Sequence, residues 1–176
     1  MPATKAEGFA LIDLIFVCGI IGLLASIAVP RLMLAKQAAG AASAIGTMRT
    51  ISSGQLTYAL TCGNGFYAPR LSTLGQAPAG SREPFIGGGL GVADTVIKSA
   101  YTIQMTADPF AGAPPTCNGL GAGEAGQGFR AAADPTESGN VRFFATNANG
   151  LIYEHNAGLF ALIPEVGEPA DGHMLR

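Results

Sequence analysis

Asp13 stands where a carboxylate is unfavourable. It lies four residues into Phe9–Val29, a run of 21 residues (FALIDLIFVCGIIGLLASIAV) in which it is the only ionisable carboxylate and Ser26 the only hydroxyl. A charged group in an apolar medium costs a few kcal/mol unless it is paired or reaches an interface. Asp13 is therefore either an interfacial residue that snorkels to headgroups or one half of an ion pair formed in an apolar setting.

The other residues capable of chemistry are few. The chain has three cysteines and two histidines, so a His- or Cys-rich metal site is not expected. Cys18 falls inside the apolar run and reads as a small apolar residue. Cys62 and Cys117 lie outside it. In an oxidising space they are the pair available to bridge, closing a loop of about 55 residues; in a reducing one they remain two thiols. Gly121-Ala122-Gly123-Glu124-Ala125-Gly126 matches G-x-G-x-x-G, but Ala113-Pro114-Pro115 precedes it and no helical pattern follows, so the strand–turn–helix of a dinucleotide site is missing. Gly87-Gly88-Gly89-Leu90-Gly91 lacks the Lys-Ser/Thr of a phosphate loop. Asp108-Pro109-Phe110 and the tail carboxylates do not have the spacing of a Ca2+ loop. His155 and His173 have no nucleophile partner readable nearby. No catalytic constellation emerges; the expectation is a protein that is not an enzyme and needs no cofactor.

The elements that hold these residues follow from composition and period. Of 176 residues 12% are charged, half the usual share of about 25%. The net charge of −2 offers no basic surface to a phosphate backbone, so no nucleic-acid site is expected. As a helix, Phe9–Val29 spans roughly 31 Å, the thickness of bilayer hydrocarbon. It is longer than the 7–15 apolar residues of a secretory signal, and Pro30-Arg31-Leu32 follows instead of a small-x-small cleavage site. A membrane-spanning helix is expected. Gly22 and Ser26 are four apart and extend a small-residue stripe from Gly19; such a stripe permits close helix–helix approach, though Gly is also simply frequent in membrane helices. Pro30 removes one helix hydrogen bond and predicts a kink.

From Arg31 to Leu60 a helical period continues through Leu34, Ala38, Ala41, Ile45, Met48, Ser52, Leu56 and Ala59. Gly40, Gly46 and Gly54 weaken it, so this half should hold helix only by packing on a sheet. Thr61-Cys62-Gly63-Asn64-Gly65 stops it. A short helix at Asp94–Ser99, capped by Asp94, is predicted. Strands are predicted at Tyr101–Thr106, Phe129–Ala133, Val141–Thr146 and Leu151–His155, the last two joined by Asn147-Ala148-Asn149-Gly150. Phe143 and Ile152 should face the helix. Gly112–Gly128 reads as a long loop and Pro164–Arg176 as a mobile tail. The expected fold is α+β: a long N-terminal helix on an antiparallel sheet of three or four strands.

Gly8-Phe9-Ala10-Leu11-Ile12-Asp13 resembles the type IV prepilin signature. In that family a short polar leader ends in Gly, Phe usually follows, and a carboxylate stands at the fifth position of the apolar run. Gly19, Gly22 and Ala28-Val29-Pro30 fit the downstream pattern, and Ala41–Ile51 looks like the continuing pilin helix. The family usually has Glu where this chain has Asp13, and a more basic leader than MPATKAEG. The resemblance implies a leader at 1–8, a filament-core helix at 9–30, an amphipathic half at 31–60 and a globular head at 61–176. It implies cleavage between Gly8 and Phe9 by a prepilin peptidase, methylation of the new Phe9 amino group, residence in the inner membrane with pilus assembly machinery, and polymerisation with copies of itself into an extracellular filament. Asp13 would then neutralise the amino terminus of a neighbouring copy. The bare backbone of Gly8 suits close approach by a peptidase, and Pro30 marks a segment that unwinds on assembly. The same N-terminal logic is shared by minor pilins and by pseudopilins of type II secretion. A membrane-anchored binding domain or enzyme, and a soluble domain released from a signal, are the readings from other classes.

Overall fold

A computed structural model describes residues 11–175, so Gly8 and Phe9 lie outside the described residues. Helix α1 covers Leu11–Thr61 and is followed by a one-turn helix α2 (Leu71–Leu74) and a 3-10 turn at Leu90–Val92. Six strands follow: β1 (Thr95–Lys98), β2 (Tyr101–Thr106), β3 (Arg130–Pro135), β4 (Phe143–Asn147), β5 (Ile152–His155) and β6 (His173–Met174). They form one antiparallel sheet in sequential order, β1 to β6, with no crossover. The chain divides into two units, one ending at Ala39 and the other beginning at Gly40.

In the first unit α1 is a bare apolar rod. It runs unbroken through Pro30. Its large apolar side chains from Leu11 to Leu34 are all exposed, Leu11 by 74% and Leu34 by 66%.

The second unit is built around the rest of the helix. Ala41, Ala44, Met48, Ile51 and Tyr58 are buried in one core with Tyr101, Ile103 and Met105 of β2, Ala131 and Ala133 of β3, Phe144 of β4 and Ile152 of β5. Alternate residues along β2 point inward, as period-2 geometry requires. The alanines on both surfaces let the helix lie close to the sheet. A Cβ on Gly40 would come within 3.0 Å of the Ser99 carbonyl, so the β1–β2 turn sits directly against α1 there. The opposite sheet face carries a second cluster, Ala132, Ala145 and Tyr153, covered by Leu159 and Ile163 of the C-terminal segment.

Several expectations need correction. The buried helix stripe steps through Ala41, Ala44, Met48, Ile51, Gln55 and Tyr58, whereas Leu56 is 55% exposed and Leu34 66% exposed. Gln55 hid the true phase. It is fully buried and holds both backbone groups of Ala68, donating to the carbonyl at 2.8 Å and accepting from the amide at 2.9 Å. Asp94–Ser99 is not helical: Thr95–Lys98 is strand β1, paired with β2 through a two-residue turn at Ser99 and Ala100, both with positive φ. Asp94 does not cap a helix; its carboxylate accepts from the Ser72 hydroxyl and pairs with Arg70 at 3.8 Å. Phe144, not Phe143, faces the helix, a one-residue change of phase that inverts the strand. The sheet has six strands instead of three or four because β1 and β6 extend it at both edges. The tail is tied down: β6 pairs with β5, and Asn147 donates to the carbonyls of Pro164 at 3.0 Å and Gly167 at 2.6 Å.

Replacing Gln55 with Leu leaves the Ala68 amide and carbonyl buried without partners. It should destabilise the head by about 2–3 kcal/mol, read as a lowered denaturation midpoint of the full chain in detergent. Asp134 behaves oppositely to most carboxylates. Burial pushes its carboxyl up from the ordinary range, against a weaker opposing effect of the hydrogen bond from Gln104. The folded state thus holds this proton to higher pH than the unfolded state, and stability falls as pH rises through the carboxylate range. Asp134→Asn should raise stability at neutral pH and flatten that part of the pH profile, measured by thermal unfolding between pH 3 and 8.

Candidate functional site

The residues singled out in the sequence fall into two groups that the fold treats differently. Asp13, Gly19, Gly22 and Pro30 all lie on the apolar rod. Asp13 lies in α1, two residues after the first described one. At Gly19 and Gly22 an added Cβ would meet nothing within 4 Å, so both positions are open to a neighbour. The Ser26 hydroxyl donates to the Leu23 carbonyl at 2.7 Å and so leaves no unsatisfied donor on the stripe. The most apolar 18-residue window of α1 has a mean hydropathy of 2.6 and none of it is buried. This is the one helix among the described residues that is long and apolar enough to cross a membrane. A surface of this kind is stable only in lipid or against other apolar helices.

The second group braces the end of α1. The helix terminates in a left-handed turn, Asn64 at φ 52° and Gly65 at φ 92°, with the Gly63 amide donating to Tyr58 and the Gly65 amide to Ala59. Cys62, at this end, is bonded to Cys117, so the two thiols are bridged across 55 residues. The Cys117 amide also donates to the Cys62 carbonyl at 3.2 Å. Next to the bridge, Asn118 accepts from Thr116 at 2.8 Å and donates to the Thr73 carbonyl at 3.0 Å, linking the Gly-rich loop to α2. The sequence signal for Asn118 was only an Asn-Gly pair. Cys18 is unbridged and exposed on the rod.

The Gly121–Gly126 segment is a loop in which Glu124 closes back on the Gly121 amide at 2.9 Å. His155 accepts from the Ala157 amide at 3.3 Å, and His173 lies 4.0 Å from Glu154. Glu154 itself is held by Arg142, whose guanidinium keeps the carboxyl below its ordinary range. Among the described residues no three His, Cys, Asp or Glu side chains gather as a metal site. Compared with family models, with curated proteins and with solved structures, the chain has no match in any of the three. What it does must be argued from its own two surfaces: an uncovered apolar rod with one carboxylate, and a head cross-linked at the end of the same helix.

Cys117→Ser removes the cross-link and should lower head stability by up to about 4 kcal/mol in the chain-entropy picture. Denaturation of the oxidised wild type beside the variant measures this, with thiol labelling confirming the bridge in the former.

Proposed function

We propose that this chain is a structural subunit of the type IV pilin kind, processed at its N-terminus and polymerised through α1 into a filament. The observation that carries the reading is the rod Leu11–Leu34, apolar throughout and uncovered, with Asp13 in its first described turn. In a lone anchor that carboxylate could only reach for the headgroups. In a bundle of such rods it neutralises a cationic chain end, and either charge left alone there costs several kcal/mol, which selects one axial register. The residues Gly8 and Phe9 support the reading through the prepilin signature: cleavage between them places a new amino group five positions from Asp13, counting both ends. The open positions at Gly19 and Gly22 suit close helix contact. The subunit resides in the inner membrane before export to the cell surface, and its partners are the peptidase, the assembly machinery and other copies of itself.

Mass spectrometry of protein isolated from cells should find a chain that begins at Phe9 and carries one added methyl group. An intact Met1, or a cut beyond Pro30, would end the proposal. Asp13→Ala should leave the subunit in the membrane at normal abundance and abolish sedimentable filaments, whereas an anchored binding domain would be indifferent to it. If deletion of the gene abolishes protein secretion with surface filaments intact, the subunit belongs to a secretion pseudopilus instead.

A further inference from the structure

Charge is divided along the head. From Gly40 to Ala107 there are four Lys and Arg against two Asp and Glu; from Asp108 to Leu175 there are two against eight. Most of this charge is locally paired or dispersed, but two surfaces are not. On α1, Arg49 is exposed and has no ion-pair partner among the described residues. A groove lies on each side of it. One is lined by Ile45, Gly150, Leu151, Ile152 and Leu175, the other, shallower, by Thr50, Ser53, Gly54, Thr57 and Phe85. A cation between an apolar groove and a shallower one lined by hydroxyls and Phe85 is the shape of an acceptor for a segment that is both apolar and acidic.

The head itself displays such a segment. Leu162 and Val166 are 50% and 61% exposed, and Glu168 and Asp171 beside them are exposed without an ion-pair partner among the described residues. The segment is presented in a fixed form. Asn147 grips it from within, as described, and Gly167 donates to Asn149 at 3.3 Å. An ordered segment loses little conformational entropy when it docks.

We propose that Arg49 and its flanking grooves receive the Leu162–Asp171 segment of a second copy of this chain. The contact joins two different surfaces, so it is heterologous and repeats from copy to copy. The carboxylates of Glu168 and Asp171 face Arg49, while Leu162 and Val166 enter the grooves. The proposal rests on the reading of the chain as a self-assembling subunit. It adds a head-to-head contact with its own chemistry, in which charge sets the partner and salt weakens the bond.

The test uses the full chain with Cys62–Cys117 intact and Cys18→Ser. Arg49→Cys and Glu168→Cys variants are co-expressed, and membranes are oxidised before electrophoresis. A mixed disulfide dimer, at least fivefold above that of either variant alone, is expected; its absence overturns the proposal whether or not filaments form. In parallel, Arg49→Glu, the double variant Glu168→Lys/Asp171→Lys, and their combination are compared by sheared-filament yield across a salt series. Each charge reversal should lower yield about tenfold and the combination should return it to within about twofold of wild type. Wild-type yield and salt resistance in Arg49→Glu would sink the proposal and leave the filament reading standing. A mixed dimer between the two cysteine variants, together with a wild-type chain that forms no filaments, would sink the filament reading and leave this contact standing.

Discussion

The head depends on one packing relationship: a helix stripe of small and medium side chains seated on alternate residues of a sheet. Ala41, Ala44, Met48, Ile51 and Tyr58 meet the inward residues of four strands. This burial holds in place a helix that contains three glycines between Gly40 and Gly54 and could not persist on propensity alone. Gln55 adds the one polar fixture within that stripe. By satisfying both backbone groups of Ala68, it brings the chain leaving α1 back against the core. The disulfide acts on the same junction from the other side, joining the last turn of α1 to a loop with no regular structure of its own.

The earlier part of the same helix has a different surface. There the side chains obey no amphipathic pattern, and apolar residues face every direction. One helix thus carries two kinds of surface, one packed on a sheet in its later turns and one apolar and uncovered in its earlier ones. Pro30 stands within the earlier stretch. Its missing amide lowers the cost of local unwinding without ending the helix.

Much of this architecture was legible in the residues. The length and uniformity of the apolar run, the helix stop at Thr61–Gly65, and four of the strands followed from period and turn chemistry, and the cysteine count named the bridging pair. Where the reading failed, tertiary contacts overrode local signals. Gln55 carried no signal in the helical period because its burial depends on a partner thirteen positions away. Thr95–Lys98 looked helical because Asp94 resembled a cap, yet its strand pairing is enforced by a turn whose two residues, Ser99 and Ala100, both take left-handed conformations that their side chains disfavour. Phe143 and Phe144 are adjacent and equally apolar, so period alone could not say which points inward. The C-terminal segment reads as polar and proline-rich, and only Asn147, an unremarkable hairpin residue in sequence, reveals that it is held. For Asp13, Gly19 and Gly22 the situation is reversed: they stand out in sequence, and at the two glycines an added Cβ would meet nothing within 4 Å.

The strictly sequential strand order has a bearing on how the molecule is made. Both bridged cysteines precede β3, so the covalent loop encloses only α2, the 3-10 turn, β1 and β2. A chain emerging from its N-terminal end can therefore close this bridge before half its sheet exists. Each later strand then adds to the edge left by the one before, with no segment threaded back between earlier ones. Maturation of the head becomes a matter of accretion onto an already closed ring, and an interruption late in synthesis would leave a cross-linked nucleus instead of a tangle.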